Sequence, residues 1–313
     1  MERRGGKAMR RWGTAVIASA AALTVAVPAS AAQATEARSG PSGVSAKGAY
    51  LLDNNTNKQL WAKAADTKRP MASTTKLMTA VVVLDTRGLD LGKKVTVKQS
   101  YIDYTARVGG SKADLKKGDK LTVKQLLYGL LLPSGCDAAM ALADTFGTGD
   151  TTAKRTKSFI AQMNKKASAL GMTKSHYDTF DGISQGAQNY TTPRDMAKLA
   201  RHALGNSTLG TVVKSVDSIQ KAPAANGRTR TYYWHNTNRL LGSYSGAIGI
   251  KTGTGTAPGR CLVFAAKRDG RTVVGVILNA PKRYPDAKKM LDWAFRSHTK
   301  VTWRQLPKGT PQD

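Results

Sequence analysis

Ser73-Thr74-Thr75-Lys76-Leu77-Met78-Thr79-Ala80-Val81-Val82-Val83-Leu84-Asp85 is the stretch whose reading decides the fold. It is apolar almost all round, which predicts a helix enclosed by the protein rather than lying on its surface. Residues three apart share a helical face, so Ser73 and Lys76 meet at the start of this helix. A serine hydroxyl is a weak nucleophile at neutral pH and needs a base within hydrogen-bond reach. A lysine can be that base when desolvation or a second cation lowers its pKa. The spacing alone is weak evidence. It recurs in Ser218-Ile219-Gln220-Lys221 and Ser297-His298-Thr299-Lys300, and a serine cap beside a solvated lysine would explain an isolated match.

Working outward, Ala49 to Asp53, the turn Asn54 to Asn57, and Gln59 to Ala62 predict a β-hairpin. From Leu91 to about Ser207 the pattern is mainly helical. It includes Leu121 to Leu132, Asp137 to Phe146 after Pro133-Ser134-Gly135, and Thr156 to Leu170 closed by Gly171. A further helix runs from Thr192-Pro193 to Leu204. Tyr177 to Tyr190 is a long glycine-containing loop, a place where function concentrates. The tail changes character: Ala247 to Gly255, Cys261 to Lys267 and Thr272 to Asn279 read as strands, with Asp269-Gly270 as a hairpin turn, and Arg283 to His298 as a last helix. Neither the first hairpin nor this meander is large enough to stand alone. Joined, they make one five-stranded antiparallel sheet flanked by the Ser73 helix and the last helix. The expected fold is therefore α/β with two lobes: a sheet-and-helix lobe from 48–90 and 245–300, and an inserted mainly helical lobe at 91–244. A cleft lies between them.

Two further triads sit where that cleft would be. Ser134-Gly135-Cys136 lies on a loop between helices, and Lys251-Thr252-Gly253, the only K-[ST]-G in the sequence, lies on a strand. A serine and lysine opening a buried helix, a serine-led triad on a helical-lobe loop, and K-T-G on a strand, in this order, are the three elements of the serine penicillin-recognising enzymes. From about Gly48 to Arg296 the chain resembles the low-molecular-mass penicillin-binding proteins, D-alanyl-D-alanine peptidases of the serine peptidase S11 family. Ala49 to Asp53, Arg69 to Lys76, Leu132 to Gly135, and Asp181-Gly182-Ile183 with Tyr190-Thr191-Thr192 carry the resemblance.

The resemblance implies a carboxypeptidase or transpeptidase acting on the D-Ala-D-Ala termini of peptidoglycan stem peptides, with β-lactams as covalent inhibitors and no cofactor or metal. It implies that Ser73 attacks the penultimate D-Ala carbonyl, Lys76 is the base, and Ser134 passes a proton to the departing amine. Lys251 would depress the pKa of Lys76 and attract the substrate carboxylate, Thr252 would bind that carboxylate, and Gly253 would admit substrate close to the strand. The N–H groups of Ser73 and Thr254 would form the oxyanion hole. The sequence departs from the family in three places. Cys136 replaces the usual asparagine and is a poorer hydrogen-bonding group. The arginine of the Asn236-Thr237-Asn238-Arg239 segment is displaced, so Arg239 is carried over only as a candidate carboxylate ligand. Many relatives carry a further β-rich domain and an amphipathic anchor, and because the sequence ends at Asp313, soon after the last helix, both are expected to be absent.

Composition narrows the alternatives. Residues 1–31 read as a secretory signal peptide: Arg3, Arg4, Lys7, Arg10 and Arg11, then an apolar stretch too short for a typical membrane span, then Pro28-Ala29-Ser30-Ala31. Residues 32–47 read as a disordered lead and 301–313 as a tail. The formal net charge is +29, and removal of residues 1–31 leaves about +25. An exported protein this basic is expected to dwell near anionic membrane or cell-wall polymers. Nucleic acid is set aside because the charge is scattered and no nucleic-acid motif appears. Cys136 and Cys261 are the only cysteines, and His176, His202, His235 and His298 lack metal-site spacing. The nearest rival is a class A-like β-lactamase, which deacylates with a glutamate between the second and third motifs. The only glutamates are Glu2 and Glu36. The other rival is a non-catalytic wall-binding protein, against which the intact Ser73, Lys76, Lys251 and Gly253 count.

Overall fold

The computed structural model describes residues 39–310. The signal-peptide reading, the first part of the lead and the last residues of the tail lie outside the described residues. The chain forms β1 (Gly48–Asp53), β2 (Lys58–Lys63), β3 (Arg69–Pro70), a 3₁₀ turn (Ala72–Thr75), α1 (Lys76–Leu84), β4 (Lys94–Thr96) and α2 (Gln99–Val108). Next come β5 (Lys120–Thr122), α3 (Val123–Leu131), α4 (Cys136–Phe146), α5 (Thr152–Ala169), β6 (Tyr190–Thr191), α6 (Pro193–Leu204) and α7 (Ser207–Lys214). Then follow β7 (Asp217–Pro223), β8 (Thr229–His235), β9 (Ala247–Gly255), β10 (Gly259–Arg268), β11 (Arg271–Ala280) and α8 (Arg283–Phe295).

The N-terminal hairpin and the C-terminal meander join as expected into one five-stranded sheet, ordered β2-β1-β11-β10-β9. β1 pairs antiparallel with β11 from Gly48 opposite Leu278 to Asp53 opposite Val273. Every residue of β1 is buried. Both faces of β1, β10 and β11 are covered, so these strands read as continuous apolar runs rather than as alternating ones, whereas the edge strand β2 has no buried residue. Tyr50, Leu52, Val263, Val274, Val276 and Leu278 share a core with the helices, and α6 packs against β1 and β11 there. Ala49, Leu51, Leu262, Phe264, Val273 and Ile277 pack with Ala287, Met290 and Leu291 of α8. α1 packs against α3, α4, α5 and α6, and all its residues but Leu84 are buried, as its uniform hydrophobicity requires.

Two readings need correction. Residues 39–47 of the lead are ordered against α8. Asp286 accepts from Ser45 N at 3.0 Å, Ser45 Oγ at 2.8 Å and Ala46 N at 2.9 Å, and Trp293 Nε1 donates to Ser39 O at 2.7 Å. Val44 and Ala46 are buried. The composition of the lead is that of a solvated chain, but its α8 partners are 240 or more residues away and leave no local trace. The second correction concerns the expected helical lobe. It contains the hairpin β7–β8, in register from Asp217 opposite His235 to Pro223 opposite Thr229.

Gly275 lies opposite Phe264 in the sheet, and a Cβ at 275 would lie 2.0 Å from the Phe264 ring. The ring fills the place of the missing side chain beneath α8. We expect Gly275→Val to lose about 1–3 kcal/mol of stability through overpacking, measured by denaturant unfolding beside the unaltered protein.

Candidate active site

Ser73 sits in the 3₁₀ turn rather than in α1 itself. The difference favours the pair, because residues three apart eclipse one another in a 3₁₀ turn. Lys76 Nζ donates to Ser73 Oγ at 2.9 Å and to the backbone carbonyl of Asp181 at 3.0 Å. Lys76 is fully buried and Ser73 only 7% exposed. The turn is held from below by the 178–190 loop. Asn189 Nδ2 donates to Thr75 Oγ1 at 2.7 Å. Gly182, at φ +93°, brings its backbone so close that a Cβ would lie 2.0 Å from Ala72 O. Asp181 is itself fixed: Tyr104 Oη donates to its carboxylate at 2.9 Å, and burial together with that carboxylate pushes the Tyr104 phenol up.

The second motif lies between α3 and α4. A capping box starts α3, with Gln125 N donating to Thr122 Oγ1 at 3.1 Å and Thr122 N to Gln125 Oε1 at 2.9 Å. Past its end, Ser134 takes a left-handed backbone, φ 65°. Its hydroxyl is buried and has no hydrogen-bond partner. Two unfavourable features at one residue, a strained backbone and an unpaired buried hydroxyl, mark a position shaped for something other than stability. Asp137 anchors the start of α4: Oδ1 accepts from Ala113 N at 2.8 Å and Oδ2 from Leu115 N at 3.0 Å. Burial raises its pKa against these amides. Cys136 is buried with Lys76 and Asp181 facing its sulfur. Burial dominates and pushes the thiol up to about 12, against the opposing pull of Lys76. Cys261 is a separate buried thiol on β10, and both cysteines are free.

The third motif lies on β9, the edge strand beside the turn. Lys251 is almost fully buried, and its Nζ donates to Thr252 O at 3.0 Å. Thr252 Oγ1 lies 2.6 Å from Thr237 Oγ1, and Thr237 N donates to Leu132 O at 3.2 Å, so Thr237 ties the third motif to the loop of the second. A Cβ at Gly253 would lie 2.9 Å from Thr74 N and 3.0 Å from Ser73 N. The open side of this glycine therefore admits the Ser73 turn, where the sequence reading assigned it to substrate. Thr254 is exposed at the end of this run.

The structure thus gathers Ser73, Lys76, Cys136, Lys251, Thr252, Gly253 and Thr254, with Ser134 one residue before Gly135 at the mouth of α4. Arg239 is directed elsewhere. Its Nε donates to Arg304 O at 2.7 Å, and its guanidinium lies over the Tyr284 ring. The arginine on the third motif is Arg283, which sequence reasoning missed. It is buried, and its Nη1 donates to Thr254 Oγ1 at 2.8 Å, Gly253 O at 3.1 Å and Cys261 O at 3.3 Å. Thr237 was missed also. Each acts through contacts distant in sequence, and Thr237 lies in the Asn236–Arg239 segment from which only Arg239 was singled out.

Comparison with known proteins agrees with this geometry. A family described as peptidase S11, D-alanyl-D-alanine carboxypeptidase, matches residues 32–282. A D-alanyl-D-alanine carboxypeptidase of Streptomyces sp. (strain K15) is 51% identical over 256 residues, 80% of this chain and 88% of the relative. The crystal structure of the Streptomyces K15 DD-transpeptidase superimposes with a TM-score of 0.80 at 50% identity, covering 83% of this chain and all of that one. A D-alanyl-D-alanine carboxypeptidase structure from Mycobacterium tuberculosis H37Rv gives 0.71 at 29% identity, covering 85% and 98%. The architecture is the penicillin-binding protein and β-lactamase fold, and with a serine and lysine paired at 2.9 Å on its central turn the chain belongs to the S11 family of serine peptidases, the D-alanyl-D-alanine carboxypeptidases.

Proposed function

We propose that the protein is an exported serine DD-peptidase that cleaves the terminal D-Ala-D-Ala bond of peptidoglycan stem peptides through an ester on Ser73. The observation that carries this reading is the 2.9 Å contact of Lys76 Nζ with Ser73 Oγ inside a buried site. In it, Lys76 as the neutral amine takes the Ser73 proton while Oγ bonds to the penultimate D-Ala carbonyl carbon. The negative oxygen meets the N–H groups of Ser73 and Thr254. The C–N bond then breaks, and Ser134 delivers a proton to the departing amine of D-Ala. Its buried, unpartnered hydroxyl supports that role, since a group already engaged would be slow to relay. Lys251, Thr252 and Thr254 bind the substrate carboxylate, with Arg283 fixing the position of Thr254. The ester passes to water in carboxypeptidation or to an amine in transpeptidation.

Cys136 has a supporting role. A thiol held up to about 12 is protonated at physiological pH and is not the attacking species. Export rests on residues 1–31, and among the described residues no helix is long and apolar enough to cross a membrane. Retention at the cell surface follows from the basic charge, which attracts anionic wall or membrane polymers.

Penicillin acylates Ser73 in this reading. Fluorescent penicillin is expected to label the protein and Cys136→Ala, and to leave Ser73→Ala unlabelled; a label that survives Ser73→Ala would move the nucleophile elsewhere. Lys76→Ala is expected to slow acylation by about 10²–10⁴-fold, the usual contribution of a general base, in stopped-flow measurements. With no glutamate after Glu36, the acyl-enzyme lacks the deacylating carboxylate of a class A β-lactamase. Nitrocefin is therefore expected to react in about one equivalent and then stop; sustained turnover would favour the β-lactamase reading.

A further inference from the structure

Residues 236–238 follow β8, lie in no helix or strand and are nearly inaccessible, so their backbone groups need partners of another kind. Asn236 N donates to Val216 O at 2.8 Å, Thr237 N to Leu132 O at 3.2 Å and Asn238 N to Asn236 Oδ1 at 3.0 Å. Their three carbonyls are all met by side chains from the last part of the chain. Arg304 Nη2 donates to Asn236 O and, at 3.2 Å, to Asn238 O. Tyr284 Oη donates to Thr237 O, between them, at 2.9 Å. Arg304 is fixed in turn. Its Nε donates to Leu241 O at 3.2 Å, its backbone N to Ser243 Oγ at 2.7 Å, and its O accepts from Arg239 Nε at 2.7 Å. Trp303 lies against the Tyr284 ring with centroids 5.7 Å apart, and Val301 packs with the core beneath α8. The tail is therefore docked through residue 304, and one half-buried guanidinium spans the two carbonyls that flank Thr237.

We propose that Arg304 is a positioning residue for the reaction: with Tyr284 it clamps the backbone of Thr237, and through Thr237 it holds the third motif in register with the second. The proposal rests on the function proposed above. Thr237 Oγ1 lies 2.6 Å from Thr252 Oγ1, the hydroxyl assigned there to the substrate carboxylate. Thr237 N reaches the loop of Ser134 through Leu132 O. Hydrogen bonds from a guanidinium are charge-assisted and stronger than neutral ones, which suits a clamp on a segment without a ladder of its own. Among the described residues the hydrogen bonds of this guanidinium all go to backbone carbonyls, so Arg304 acts through Thr237 and not on substrate. Slack in the segment would turn the Thr252 hydroxyl from its place, and small misplacements of a binding group are costly in rate.

The test is a double-mutant cycle on the full chain, read by the second-order rate constant for acylation by benzylpenicillin. Arg304→Leu, Thr237→Val and the double variant are compared with the unaltered protein, and Val301→Ala loosens the tail away from the clamp. Arg304→Leu and Thr237→Val are each expected to slow acylation about tenfold, the size of a lost charge-assisted hydrogen bond. The double variant should be no more than about twofold slower than the slower single variant, and Val301→Ala should stay within about twofold of the unaltered protein. A residue that only supports the fold acts independently of Thr237, so effects that multiply in the double variant overturn the proposal. An unchanged rate in Arg304→Leu overturns it too, as does an equal loss in Val301→Ala, which would credit the tail as a whole. If thermal unfolding shows that Arg304→Leu does not fold, Arg304→Lys takes its place in the cycle with the same outcomes, because it keeps the charge and lacks the fork that spans two carbonyls. Absence of acylation in the unaltered protein overturns the parent reading, and the clamp with it; acylation there with an additive cycle overturns the clamp alone.

Discussion

The site depends on the close approach of β9 to the 3₁₀ turn at Gly253. A side chain there would fall within about 3 Å of the backbone nitrogens of both Ser73 and Thr74, a separation that real Cβ atoms do not occupy. Any residue but glycine would therefore push the strand and the turn apart. With them would go the alignment of two motifs that lie 175 residues apart in the chain. The oxyanion hole of the proposed mechanism needs two N–H groups from these same two segments, so it is sensitive to a shift of a few tenths of an ångström. The sheet supplies the rigidity. β9 is anchored along its length to β10, and β10 lies in a layer covered on both faces.

Around that contact the protein buries polar groups at a cost to stability. Lys76, Lys251, Ser134, Asp181 and Asn189 are all nearly inaccessible, and each must offset lost hydration with partners. The partners are mainly backbone carbonyls and hydroxyls: Asp181 O for Lys76, Thr252 O for Lys251, and Thr75 Oγ1 for Asn189. Ser134 is the exception, with a buried hydroxyl unpaired and a backbone in the left-handed region. Both features have a reason if a reacting group completes the set.

What was legible in the sequence was what is local. Ser73 and Lys76 are one turn apart, the five strands carry hydrophobic runs and turn residues, and Thr192-Pro193 announces a helix start whose Thr192 Oγ1 accepts from Asp195 N at 3.1 Å. The family motifs then placed the other lobe. What was not legible is held by contacts distant in sequence. Residues 39–47 have a polar composition and are ordered by distant side chains, Asp286 and Trp293 among them. Arg283 looks like one more charge in a basic chain until its guanidinium is seen on Gly253 O and Thr254. Gly253 was recognised, but its reason was not, because the segment that fills its open side comes from the other end of the sheet. Arg239 carried a resemblance whose position in this chain is displaced, and its side chain turns to Tyr284 and Arg304.

The most direct test of the central claim is peptide mapping by mass spectrometry after brief exposure to benzylpenicillin and acid quench. The expected result is a single adduct, of one penicillin per chain, on the peptide that contains Ser73, with the Cys136 peptide unmodified. An adduct on the Cys136 peptide, or none on a folded protein, would contradict the assignment of Ser73 and Lys76 as the nucleophile and its base.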